Sequence, residues 1–218
     1  MGDLANSSYA VGFSGGSGIA YGLRLVHVLL ELGAGVHLCA TDAAVRVLKY
    51  EAGIELDPKQ PELKTLFTRE LGERLSCYHQ EAVEAAPSSG SAGIAATIIC
   101  PCSMGTLARI AHGFSSNLLE RSADVALKEG RRLILVPRET PLSSVHLRNM
   151  LKLSEAGAVV LPAMPGFYHR PQTVAQLVDF VVAKILDRLG VDSPLVKRWK
   201  TPTASSSPWD EGEEVAPS

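Results

Sequence analysis

The sequence has no surplus of either charge: 21 Lys and Arg stand against 23 Asp and Glu among 218 residues. With a formal net charge of -2 and no basic run interleaved with aromatics, it carries no electrostatic footprint for nucleic acid. Long apolar runs are missing as well, and none approaches the roughly 20 residues of a membrane span. Met1 to Ser7 has neither the basic start nor the apolar centre of a signal peptide, so a soluble, cytoplasmic protein with no membrane partner is expected. Cysteines number only four. Cys100-Pro-Cys102 lacks zinc-ligand spacing and a second Cys/His pair, so Cys39, Cys77, Cys100 and Cys102 read as buried thiols and no metal site is expected. H-E-x-x-H, a Walker loop and a Ser-His-Asp order are also absent, which sets aside zincins, P-loop enzymes and serine hydrolases.

Hydrophobic residues are plentiful at 46%, with 20% charged, which suits one sizeable core. Five apolar segments alternate with helical patterns: Tyr9–Phe13, Val36–Ala40, Ile94–Cys100, Leu133–Val136 and Ala158–Leu161. Leu133-Ile-Leu-Val136, bounded by Gly130 and Pro137, has the uninterrupted aliphatic character of a strand covered on both faces. The alternation predicts an α/β fold, a doubly wound parallel sheet with right-handed crossovers in a single domain. The expected organisation is a disordered start over residues 1–8, the α/β domain over 9–199, and a disordered acidic tail over 200–218, with Arg198-Trp199 free to dock. From Leu56 to Gln80 the pattern weakens to one helix around Leu63 to Leu75. The small-residue loop Pro87 to Gly93 is placed as a mobile segment able to cover a site.

Ligands of open α/β sheets bind beyond the carboxyl ends of the strands. Each predicted strand ends there in chemistry. Ser14-Gly-Gly-Ser-Gly18 follows the first, where glycines allow close backbone approach and the helix start offers N–H groups to an anion. Ser17 adds a hydroxyl, or simply an N-cap. Glycines at 15, 16 and 18 do not form G-x-G-x-x-G, so a mononucleotide phosphate or phosphorylated flavin fits better than a dinucleotide. Thr41 ends the second strand. Glu51 lies at the end of the following helix, where the macrodipole disfavours an acid, and is either solvated or put to use. Ser103 and Thr106 open a helix after the third strand, and Ser115 or Ser116 starts the next. Arg121 and Lys128 are two helical turns apart, and Lys128 can alternatively pair with Asp124. Arg138-Glu139 ends the fourth strand and Tyr168 follows the fifth. Lys184 lies near the end of a helix opened by the capping box Thr173-Val-Ala-Gln176, a position that a surface cation also satisfies.

Ser14-Gly-Gly-Ser-Gly18, Cys100-Pro-Cys-Ser-Met-Gly-Thr106, Glu120-Arg-Ser-Ala-Asp-Val-Ala-Leu-Lys-Glu129, Val136-Pro-Arg-Glu-Thr-Pro141 and Pro165-Gly-Phe-Tyr-His-Arg-Pro171 stand in this order. Together they resemble the flavin prenyltransferases of the UbiX family, over roughly residues 9 to 199. The resemblance implies a flavodoxin-like Rossmann fold, a dodecamer, and a metal-independent reaction. In it, dimethylallyl phosphate is joined to N5 and C6 of reduced FMN, making the prenylated FMN used by UbiD-type decarboxylases, as in ubiquinone biosynthesis. It implies that Gly15, Gly16, Ser17, Thr41, Ser103, Met104, Thr106 and Arg121 hold FMN. Lys128, Arg138, Tyr168 and Lys184 would bind the prenyl phosphate. Glu139 would assist phosphate departure, with Glu51 near the dimethylallyl group and Ser17 near flavin N5. Thr41 stands where the family commonly has Ser, and Lys184 where it often has Arg, a point charge in place of a bidentate fork. Two alternatives are a phosphopantothenoylcysteine decarboxylase-like flavoprotein and a non-catalytic FMN carrier subunit.

Overall fold

A computed structural model describes residues 7–193 and 195. Residues 1–6, the tail over 200–218, and Arg198-Trp199 lie outside the described residues. Six strands form one parallel sheet: β1 (Ser8–Phe13), β2 (Gly35–Ala40), β3 (Leu75–His79), β4 (Ile94–Cys102), β5 (Arg132–Pro137) and β6 (Val159–Val160). Their spatial order is β3-β2-β1-β4-β5-β6. The helices are α1 (Ile19–Glu31), α2 (Asp42–Ala52), the short α3 (Arg69–Gly72), α4 (Met104–Ala111), α5 (Leu118–Lys128), α6 (Ser144–Glu155) and α7 (Val174–Leu189).

The period of two along each strand divides the core. Val11, Phe13, Ile98, Cys100, Ile134 and Val136 face one side, where they meet Leu25 and Leu29 of α1, Leu48 of α2 and Val182 and Ile185 of α7. Ile99, Leu133 and Leu135 face the other, against Leu107 of α4, Leu118 and Ala123 of α5 and Leu153 of α6. Helices on both faces explain why β4 and β5 read as unbroken apolar runs. Each such Leu, Ile or Val contributes about 1.5–3 kcal/mol when fully buried. All four cysteines are free thiols, and three of them are buried. Burial pushes the Cys39 and Cys102 thiols up to about 12 and the Cys77 thiol up to about 11.

The expected helix around Leu63 to Leu75 is replaced by a 3₁₀ turn over Leu63–Leu66, the four-residue α3, and the strand β3. Leu-Ser-Cys-Tyr-His is a half-buried edge strand, so its residues lack the continuous apolar signal of a central one. Without β3 the five strands read from sequence follow the flavodoxin-like order 2-1-3-4-5, and β3 extends the β2 edge. Asn117, and neither Ser115 nor Ser116, caps α5, its side chain accepting from Glu120 N. The loop at Pro87 to Gly93 leads into the amino end of β4 and is tied down by Arg131, which donates to Gly90 O. It therefore sits at the edge of the sheet opposite the strand carboxyl ends and covers nothing there. The order reverses between β1 and β4, and their carboxyl ends frame the crevice.

Candidate functional site

The turns after β1 and β4 are tied together at that crevice. Ser14 N and Ser14 Oγ donate to Pro101 O at 3.1 and 3.0 Å, and Ser103 N donates to Ser14 Oγ at 2.7 Å. Glycine is required at this seam. A Cβ on Gly15 would lie 2.6 Å from Ala43 Cβ, and one on Gly16 would lie 3.2 Å from Ser103 N. Gly18, at φ 100, turns the chain into α1.

The first N–H groups at the entrance of α1 are engaged by a carboxylate. Gly18 N and Ile19 N each donate to Glu51 Oε2 at 2.9 Å, from the last turn of α2. Burial opposes the charge on Glu51, but hydrogen bonds from Ser17, Ile19 and Gly18 and the nearby Arg138 prevail and hold its carboxyl below the usual range. The acid that is unfavourable at the end of its own helix is thus placed at the start of another.

Beside this turn, a cleft of about 340 Å³ is lined by Gly15, Thr41, Asp42, Ala43, Gln80, Ser103, Thr106, Arg109 and Asn117. Thr41 caps α2, accepting from Ala44 N at 3.2 Å. Ser103 caps α4, accepting from Thr106 N at 3.3 Å and lying 3.1 Å from Thr106 Oγ1. Met104, 7% exposed, is largely core. Asp42, Gln80, Arg109 and Asn117 are not among the residues expected from sequence. Gln80 follows β3 and was hidden with it, whereas Asn117-Leu-Leu-Glu120 carries a capping-box spacing that was legible.

Arg138 joins this half of the crevice to the other, donating from Nε to Ser17 O at 3.4 Å. Arg138 and Glu139 line a second cleft of about 270 Å³ with Thr140, Met150, Pro162 and Met164. Across Pro162 and Met164, a third of about 370 Å³ is lined by Phe180, Lys184 and Arg188. Tyr168 meets the Phe180 ring edge-on at 5.6 Å, and Lys184 Nζ lies 5.6 Å from the same ring. Lys184 also pairs with Asp187 at 3.7 Å.

The structure thus brings together Gly15, Gly16, Ser17, Thr41, Glu51, Ser103, Thr106, Arg138 and Glu139, with Tyr168 and Lys184 on the adjoining lobe. Lys128 stays apart, and Arg121 is exposed in the first half of α5. Lys128 lies at the end of α5 that leads to the amino end of β5, and it pairs with Glu129 at 3.5 Å in place of Asp124. Among the described residues, no group of three His, Cys, Asp or Glu is placed to hold a metal, and no helix is long and apolar enough to cross a membrane.

A flavodoxin-like sheet with a polar crevice at its switch point defines an α/β ligand-binding class, and the Flavoprotein family model, matching residues 2–186, makes that class flavoprotein. A flavin prenyltransferase UbiX of Halalkalibacterium halodurans is 51% identical over 88% of this chain and 92% of its own. The UbiX of Pseudomonas aeruginosa is 49% identical over 85% and 90%. The chain belongs to the UbiX flavin prenyltransferase family. Among solved structures it is similar to AnUbiX (PadA1) in complex with FMN and dimethylallyl pyrophosphate, with TM-score 0.81, 36% identity, and 89% of this chain and 98% of that one covered. A dodecameric FMN-dependent UbiX-like decarboxylase from Escherichia coli O157:H7 has TM-score 0.78 and 37% identity, over 89% and 100%. A PPC decarboxylase complexed with pantothenoylaminoethenethiol, at 20% identity and TM-score 0.53 over 76% and 85%, shares the fold alone.

Proposed function

We propose that this protein transfers the dimethylallyl group of dimethylallyl phosphate to N5 and C6 of reduced FMN, supplying prenylated FMN to a UbiD-type decarboxylase. The observation that carries this reading is the junction of Arg138-Glu139 with the Gly-rich turn, through the Arg138 to Ser17 hydrogen bond. It sets a cation and an acid beside the crevice at the carboxyl ends of β1 and β4. FMN fits the residues present. Gly15 and Gly16 leave room that a Cβ would fill, and Thr41, Ser103 and Thr106 present hydroxyls at two helix entrances, where a phosphate is favoured. When bound, reduced FMN supplies the nucleophilic nitrogen and ring carbon that accept the C5 unit.

The protein's own part is electrostatic and positional. As the allylic C–O bond breaks, the phosphate departs with the bonding electron pair. Arg138, with Lys128, Tyr168 and Lys184, stabilises that growing charge. Glu139 takes the role of proton donor to the departing phosphate. Glu51, hydrogen-bonded to Ser17, would hold that hydroxyl for flavin N5 and border the dimethylallyl group, and Met104 and Arg121 would complete the flavin contacts. Arg138 stands at the carboxyl edge of the sheet and Lys128 at the amino edge, so both reach one substrate only if they come from different copies. A homo-oligomer follows, a dodecamer as in the Escherichia coli relative, with the Lys128 end of each α5 serving a neighbouring site. We also assign residues 9–199 to the catalytic domain and the protein to the cytoplasm.

The test is anaerobic incubation of the protein with FMN, dithionite and dimethylallyl phosphate, followed by the mass of the flavin. A gain of one C5 unit is expected, and Glu139→Gln should lose turnover by roughly 100-fold or more while retaining FMN. Unmodified FMN with both the mono- and the diphosphate would overturn the assignment.

A further inference from the structure

We propose that Arg109 is a further binding residue, a guanidinium that grips the phosphate of FMN, and that the buried Glu120 positions it. The inference rests on the flavin reading above and assigns a part of the ligand to a part of the crevice. A strand, Gly-rich turn and helix ordinarily offer the helix start to a phosphate. Here that start is occupied, since Gly18 N and Ile19 N already donate to Glu51. A phosphate dianion there would face a carboxylate at close range.

The neighbouring cleft is built to receive one. It lies between the entrances of α2 and α4, each longer than a single turn and each capped by a hydroxyl, Thr41 and Ser103. Thr106 Oγ1 receives Ser103 Oγ at 3.1 Å and Arg109 Nη2 at 3.3 Å. With both lone pairs engaged, its own proton is left to donate.

Arg109 follows Thr106 by one helical turn, and its side chain leans back toward the entrance of α4. Its Nε donates to Glu120 Oε1. Glu120 is 0% exposed, whereas the Arg109 side chain is 45% exposed. The carboxylate also accepts from Ser116 N at 3.0 Å and Asn117 Nδ2 at 3.2 Å, so both its oxygens are held. A guanidinium has five N–H donors; two are used, and Arg109 lines the cleft. Nη1 would lie 3.7 Å from a Cβ on Gly105, ordinary van der Waals contact, so the guanidinium lies back along the first turn of α4. Asp42 is the opposing acid in the cleft. Its Oδ1 accepts from Gln80 Nε2 at 2.7 Å, and Arg109 supplies the countercharge that lets an anion enter.

Riboflavin lacks only the phosphate and therefore isolates its contribution. Binding of FMN and of riboflavin to the full-length protein is followed by quenching of flavin fluorescence, for the native protein and for Arg109→Met, Arg109→Lys and Glu120→Gln. Arg109→Met should weaken FMN by about 10- to 100-fold and riboflavin by less than about 2-fold. Arg109→Lys, which keeps the charge but loses the fork, should show a smaller loss of the same kind. Glu120→Gln should reduce the preference for FMN over riboflavin without abolishing it. Equal weakening of both flavins in Arg109→Lys would show that the pair only links α4 to α5, and an unchanged FMN affinity would remove Arg109 from the site. If the native protein bound neither flavin, the flavin reading itself would fall, and this proposal with it.

Discussion

Glu51 shows how one side chain acquires a role from a residue 33 positions away in sequence. As the second-last residue of α2 it opposes its own helix dipole, yet its carboxylate closes the N-terminus of α1 and holds the Ser17 turn. A carboxylate at a helix start is worth about 0.3–1 kcal/mol. Glu51→Ala should therefore lower stability near neutral pH by about that amount, measured by urea unfolding. Because the folded carboxyl titrates below its unfolded value, the contribution is present above the unfolded pKa and disappears as pH falls through the folded one. The gap between native and variant should close on acidification, and a gap that persisted in acid would assign the loss to packing.

At the level of elements, α1 is held against the sheet by the absence of a side chain. A Cβ on Gly22 would lie 2.3 Å from Cys100 O and 2.6 Å from Phe13 Cε1, so neither a backbone carbonyl nor a buried ring can yield. Gly22→Ala should cost about 1–3 kcal/mol through overpacking, in spite of the better helix propensity of Ala, and should loosen the β1–α1 turn. Gly72, at the end of α3, has nothing within 4 Å of its added Cβ. Gly72→Ala should be neutral or stabilising by up to about 1 kcal/mol. Denaturant unfolding of the two variants checks the contrast, and similar losses in both would discount the close approach of α1 to β4.

For the whole molecule, the separation of Lys128 from Arg138 sets the decisive test. Lys128→Ala should lower prenyl transfer by roughly 100-fold or more, with FMN still bound. If α5 serves a neighbouring subunit, co-expressing Lys128→Ala with Glu139→Gln should restore about a quarter of the native sites, each taking its intact residues from different copies. No recovery in a verified mixed oligomer would place both residues in one subunit's site.

Local pattern was enough to determine much of this protein. Hydrophobic runs located the four inner strands and the β6 edge, the hydroxyls at Thr41, Ser103 and Thr173 marked helix starts, and the ends of the strands pointed to Gly15, Ser17, Thr41, Ser103, Arg138 and Glu139. These signals are local because burial on both faces and end-capping depend on neighbours in sequence. The edge strand β3 was not legible, since a half-buried strand of five residues carries little periodicity, and Gln80 was lost with it. The closure of α1 by Glu51, the Arg109–Glu120 pair beside Thr106, and the distance of Lys128 from the crevice were decided by tertiary structure. Each depends on how helices from separate stretches meet over the sheet, and residue spacing along one element contains no information about that meeting.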